Sequence, residues 1–306
     1  MRTIAIALLL CFSVGCHAQE FATRWMYHPQ TDTASAVWFR QTYLLKRRPL
    51  YTHIAVATTG RFELYINEAN VSGSTLLPTH SNDDGQPVTH IIDISRYTRA
   101  DTLTIAILYA PIRPQTDRRQ IAVCVYGCRR DGTPFARYGD GDWLCRQAGI
   151  ALADNGAERH DSRHPGADIP YRNSCATACW LSPGIACLPP DGTPVANNSL
   201  HRRQVAHVLR PRYFDIEGNR VAYEFGAGFY GFVRLTLRDA RRGERIRIGD
   251  VEYICSGKTD EQACARFAPA FLRRVTVEGD AYFSPSQIQR VEGIGLADLP
   301  ANLWEP

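Results

Sequence analysis

Apolar and polar residues alternate with a period of two along most of this chain, without helical periodicity. In Val233-Arg234-Leu235-Thr236-Leu237-Arg238 every second residue is apolar. That is the pattern of a strand with one face toward a core. Ile246 and Ile248 alternate with Arg245 and Arg247, and Val275 and Val277 with Arg274, Thr276 and Glu278. Asp239-Ala240-Arg241-Arg242-Gly243 separates the first two of these strands, with a glycine where positive φ costs little. Earlier in the chain Ile54, Val56 and Thr58 form one row, and Phe62, Leu64 and Ile66 a second, with Gly60 between them. Leu103, Ile105 and Ile107 form a third row, and Ile121, Val123 and Val125 a fourth. Short strands at this spacing predict an all-β protein of two antiparallel β-sandwiches in tandem, of the jelly-roll or galactose-binding-like kind. The boundaries expected are 19–165 and 205–306. A Cys-, Pro- and Gly-rich connection, 166–204, joins them.

The first eighteen residues stand apart. Arg2 precedes the apolar run Ile4–Phe12, which is far shorter than the roughly 20 residues of a membrane span. A basic start, a short apolar run and Ala18 describe a signal peptide, so the chain is expected in the periplasm or at the cell surface with no transmembrane span. Ser13-Val14-Gly15-Cys16 leaves lipidation of Cys16 open as the alternative. The rest of the chain is long enough for two domains. Lys46 and Lys258 are the two lysines, so arginine supplies nearly all of the 35 basic residues. Guanidinium suits acidic saccharides, but the formal net charge is only +4. GC-rich codon usage accounts for the bias as well, and no basic run points to nucleic acid.

Eight cysteines follow the leader: Cys124, Cys128, Cys145, Cys175, Cys179, Cys187, Cys255 and Cys264. An even number in an exported chain predicts disulfides. Cys255 and Cys264 flank one loop and make a candidate bridge; Cys175, Cys179 and Cys187 pin the connection. With His160 and His164 upstream, the same three cysteines could be read as a zinc site, but their spacing is not that of a finger or ribbon. No metal and no cofactor is expected.

Several segments resemble bacterial α-L-rhamnosidases (glycoside hydrolase family 78). Glu224-Phe225-Gly226, Gly231-Phe232-Val233-Arg234-Leu235, Tyr253-Ile254-Cys255-Ser256-Gly257 and Phe271–Gly279 are similar, in order, to the sandwich that precedes the helical catalytic barrel in those enzymes. Trp38-Phe39-Arg40, Gly60–Asn67, Asp93–Tyr97, Gly141-Asp142-Trp143 and Asp154–Arg163 resemble their N-terminal accessory domain. Glu68 stands where that pattern has a glycine. The resemblance implies two accessory sandwiches without the barrel and its catalytic carboxylates, so no catalytic residue can be carried over. It also implies a glycan ligand, rhamnose-containing in the enzymes, and a surface that a partner chain could cover.

Three functions stay open: a non-catalytic carbohydrate-binding or accessory protein, a glycosidase with its site on a sandwich or completed by a partner chain, and a structural subunit of the cell envelope. Sugar binding needs an aromatic platform and a few polar groups. The candidates are Trp25, Tyr27, Trp143, Tyr223, Phe229 and Tyr230, though large aromatics more often fill a core. The segment Gly226–Gly231 is expected to be a loop presenting Phe229 and Tyr230. For hydrolysis the carboxylate pairs are Asp250 with Glu252 and Asp260 with Glu261, each readable as an ordinary solvated turn. Asn82-Asp83-Asp84-Gly85 is a candidate calcium loop or an ordinary turn.

Overall fold

A computed structural model describes residues 24–45, 47–75, 77, 87–112, 120–153, 157–163, 169–187, 195–196 and 201–300. The leader with Cys16, the Asn82–Gly85 cluster and His164 lie outside the described residues.

The first unit holds β1 (Arg24–Tyr27), β2 (Ser35–Leu44), β3 (Pro49–Thr58), β4 (Arg61–Ile66), β5 (Ala69–Asn70), β6 (Val88–Asp93), β7 (Thr102–Ala110), β8 (Ile121–Arg129), β9 (Pro134–Tyr138), β10 (Leu144–Leu152) and β11 (Glu158–Asp161). β12 (Gly184–Cys187) and β13 (Val195–Ala196) come from the expected connection. The second unit holds β14 (His201–Leu209), β15 (Tyr213–Glu217), β16 (Arg220–Leu237), β17 (Arg245–Ile248), β18 (Val251–Ile254), β19 (Glu261–Cys264), β20 (Ala270–Gly279) and β21 (Ile288–Pro300). The helical pieces among the described residues are single 3-10 turns such as Ser95–Tyr97 and Pro285–Gln287. No helix among them is long and apolar enough to cross a membrane. The fold is all-β, as the alternation predicts.

One sheet has the order β12-β1-β8-β3-β6-β13, with β9 paired to β8. The connection therefore supplies a strand at each edge of the first unit's sheet. The second sheet has fourteen strands and passes through both units. Its crossing point is a parallel pairing of β11 with β18, in which His160 lies opposite Tyr253.

Three large cores follow from this layering, beside a small cluster of Trp25, Ala57 and Ala122. The first lies between the two sheets and contains Met26, Val37, Phe39, Ile54, Val56, Phe62, Leu64, Ile107, Val123 and Trp143. The second belongs to the second unit and contains Val221, Phe225, Phe229, Val233, Leu235, Ile246, Ile248 and Val275. The third lies on the other face of β2, β4, β7 and β10, where Trp38, Ala106, Leu108 and Ile150 meet Phe232, Phe267 and Leu296. β2 is thus buried on both faces: Val37 and Phe39 serve the first core, and Ala36 and Trp38 the third. Arg40, on the same face as Trp38, is 4% exposed. It donates to the carbonyls of Pro170 (3.3 Å) and Asn173 (3.4 Å).

The segment Gly226–Gly231 is not a loop. It lies inside the continuous strand β16, at a register shift against β20 between Glu224 and Phe229. Gly226 and Gly228 have φ of 76° and 83°, the geometry of a glycine-bearing bulge. A Cβ on Gly231 would lie 1.9 Å from the Ile294 carbonyl oxygen of β21. The glycines let β16 bend, pairing its first half with β15 and β20 and its second half with β21 and β19.

Candidate functional site

The second unit reaches the first through the segment Ala265–Pro269 between β19 and β20. Phe267 is fully buried in the third core. Glu158 of β11 is 1% exposed and takes the backbone N–H groups of Arg266 (2.9 Å), Phe267 (2.9 Å) and Ala268 (3.3 Å). Burial pushes this carboxyl up from its usual value, against those three donors. Arg266 forks onto Glu63, Nε to Oε1 at 3.1 Å and a terminal nitrogen to Oε2 at 2.6 Å, and donates to the Tyr65 hydroxyl at 2.9 Å. Burial works against its charge, yet Glu63 and Tyr65 hold the guanidinium above its ordinary value. Tyr65 stacks on Tyr171 with ring centres 4.3 Å apart. Beside this contact, Ser162 Oγ donates to Glu261 Oε1 at 2.7 Å, again joining the two units.

Next to this clamp a cleft of about 750 Å³ opens between the units. Its apolar wall includes Ile112, Leu152, Phe232, Phe267, Pro269 and Leu272. Charged groups line it as well: Arg61, Arg220, Arg247 and Arg274, with Glu158, Asp250 and Glu278. Arg61 comes from the first unit and donates to the Phe267 carbonyl. Tyr230 and Phe271, opposite each other across β16 and β20, precede the cleft residues Gly231 and Leu272 in sequence. They are 38% and 69% exposed. The Arg203 guanidinium lies over the Tyr230 ring, 5.4 Å from its centre, and is held by Asp298 at 2.8 and 3.0 Å.

The aromatic candidates divide sharply. Trp143 is fully buried in the first core, its indole N–H donating to the Tyr43 hydroxyl at 3.1 Å. Phe229 and Tyr223 are buried in the second core, and Trp25 is fully buried too. These rings offer no open face to a ligand. Of the six aromatic candidates, Tyr230 alone is exposed, and Tyr27 is half-buried. Phe271, which the motif reading treated as ordinary strand, is its exposed partner, and nothing in the alternation marked it.

The expected disulfides are absent from the structure: all eight described cysteines stand as free thiols. Cys255 is buried in the second core, whereas Cys264 packs against the third, so β-sheet backbone separates the two side chains. Cys175 is buried beside Trp180 in the third core, and Cys179 and Cys187 are exposed. Cys145 is fully buried in the first core, and burial pushes its thiol up to about 12. Most of these cysteines pack as small hydrophobes.

The carboxylate pairs are engaged elsewhere. Glu252 sits between Arg159 (3.7 Å) and Arg245 (3.6 Å) in an exposed network. Asp260, at φ 50°, faces Arg238 at 3.5 Å. Glu261 accepts from Ser162, Tyr253 and the backbone of Ser256 and Gly257. Burial opposes its charge, but those donors hold it below the usual carboxylate value. Asp250 is exposed at the turn between β17 and β18 and lines the cleft.

This architecture matches solved enzymes. The α-L-rhamnosidase from Dictyoglumus thermophilum superimposes with a TM-score of 0.72 and 19% identity, over 89% of this chain and 34% of that one. The native enzyme from Aspergillus terreus gives 0.74 and 13%, over 91% and 36%. The fold is that of part of an α-L-rhamnosidase. The Streptomyces avermitilis enzyme, solved with L-rhamnose, agrees at 0.71 and 17%, over 87% of this chain and 29% of that one. The chain spans about a third of the length of the enzymes it matches. At such identities the likeness establishes the fold alone. No known family profile matches the sequence, and no curated protein does.

Proposed function

We propose that this chain is a non-catalytic carbohydrate-binding or accessory protein that holds a saccharide in the cleft between its units. The observation that carries the reading is the make-up of the cleft: apolar side chains line it together with guanidinium and carboxylate groups. A sugar ring needs both, one for its C–H face and one for its hydroxyls. The fold shared with rhamnosidases makes rhamnose-containing glycans the first ligands to test. Hydrolysis in the same cleft would need two free carboxyl groups facing one bond. Glu158 is committed to three backbone donors, and Glu278 is shared by Arg220 (3.0 Å) and Arg247 (3.5 Å). Among the described lining residues, Asp250 is left.

The accessory reading also assigns a surface to a partner chain: the exposed Val205, Val208, Tyr213, Phe214 and Ile216 on β14 and β15. It takes the chain as exported, on the strength of the basic start and the short apolar run of its leader.

The test is a glycan-array screen of the intact chain, with aryl α-L-rhamnoside hydrolysis measured alongside. Binding without turnover is expected. Arg247→Ala, at an exposed position of the cleft lining, should weaken binding and leave the thermal midpoint nearly unchanged. Turnover lost on changing Asp250 would overturn the non-catalytic reading, and an array with no hits would overturn the saccharide reading.

A further inference from the structure

The charges in the cleft do not balance locally. Glu278 is already neutralised by Arg220 and Arg247. Glu158 turns both oxygens to the backbone of the Ala265–Pro269 segment. Arg61 and Arg274 have no carboxylate partner among the described residues, and the remaining acid, Asp250, is solvated at an exposed turn. Arg61 is half-buried, and its guanidinium donates to the Phe267 carbonyl. Desolvation lowers its pKa; the Arg203 charge pushes the same way, while Tyr230 and Glu158 push against it. A guanidinium drawn out of water, in a cleft that Arg274 also lines without an ion pair among the described residues, is a site that an anion would stabilise.

We infer that the cleft selects saccharides bearing an anionic group, a uronic-acid carboxylate or a sulfate ester, which lodges against Arg61 and Arg274. This deepens the saccharide reading and rests on it. A planar guanidinium matches either oxyanion through paired N–H donors, while the apolar wall takes the ring. Neutral sugars bring no counter-charge to either arginine.

The intact chain is titrated calorimetrically with oligogalacturonate, with a sulfated galactan oligosaccharide and with neutral galactan and rhamnose-containing oligosaccharides of similar length. At least one anionic series should bind about tenfold or more tightly than the neutral ones. The carboxylate and sulfate arms identify which oxyanion is preferred. That affinity should weaken between about 50 and 300 mM salt, because the contact is ionic. Arg61→Gln and Arg274→Gln should each lose the preference, read as the ratio of anionic to neutral affinity in the same variant. Arg274 is exposed, so its variant folds even if Arg61→Gln, which loses the bond to Phe267, does not. Neutral oligosaccharides binding as tightly as anionic ones would overturn the inference and leave the saccharide reading standing. So would an anionic preference that survives Arg274→Gln. Failure of every series to bind would sink both.

Discussion

Phe229 and Tyr230 are neighbours in sequence but occupy opposite faces of β16. Phe229 meets Phe225 edge to face at 5.1 Å inside the second core, while Tyr230 faces outward beneath Arg203. Phe229→Ala should therefore cost about 3–5 kcal/mol. Tyr230→Ala should stay within about 0.5 kcal/mol of the parent. Urea denaturation of the two variants checks both. The sequence reading made this segment a loop presenting both rings, whereas strand neighbours alternate and only one of them points out. It could not show which, because the bulge at Gly226 and Gly228 resets the phase. The disulfide expectation failed for a related reason: cysteine count and export context say nothing of which core each thiol enters. Histidines carry a second residue-scale consequence. Burial holds both His90 and His160 at about 4, below the ordinary 6.5, with the Arg266 charge adding to the effect on His160. The unfolded chain takes up these protons near pH 6.5 and the folded one does not, so their contribution is complete above 6.5 and is lost as pH falls toward 4. Carboxylates such as Glu261, held below 4.5, act in a lower window. Denaturant midpoints at pH 7 and 5 should fall for the parent and fall less for His160→Gln.

At the scale of elements, the alternating strands were legible and their pairing was not. Ile246 and Ile248 are buried and Arg245 and Arg247 exposed, as the period of two requires. β2 reads differently because both of its faces are covered, which turns Ala36-Val37-Trp38-Phe39-Arg40 into one unbroken buried run. The hairpin after β4 departs from the rhamnosidase-like pattern at Glu68, and the structure shows what the glycine would supply. Asn67 and Glu68 have φ of 45° and 73°, a conformation costly for a glutamate. Glu68 Oε1 accepts the Asn173 N–H at 2.9 Å, which offsets part of that cost. The segment Ala265–Pro269 gave no signal in the sequence beyond an arginine beside a phenylalanine. Its importance comes from Glu63 and Glu158, roughly two hundred and one hundred residues earlier. Arg266→Ala should cost about 3 kcal/mol, because it leaves the buried Glu63 without a counter-charge. Glu63→Gln combined with Arg266→Met should recover much of that loss in the same denaturation experiment.

For the whole molecule, one sheet crosses the division expected at 166–204. The parallel pairing of β11 with β18 carries one set of backbone hydrogen bonds from the first unit into the second. The third core belongs to both, since Trp38, Leu108 and Ile150 would be bared on one side and Phe232, Phe267 and Leu296 on the other if the units parted. Glu158 would then lose all three of its donors in one step, and Glu63 its guanidinium. Parting therefore exposes a hydrophobic layer and strands buried charge simultaneously, so neither unit has a cheap route to unfolding alone. The chain should melt in a single calorimetric transition whose van't Hoff and calorimetric enthalpies agree. Removing the shared contacts should split it: a Glu158→Ala, Phe267→Ala double variant is expected to show two resolved transitions, with the cleft's ligand affinity lost in the same variant. Two transitions in the unmodified chain would show instead that the two sandwiches are thermodynamically separate and that the cleft lies between bodies free to move apart.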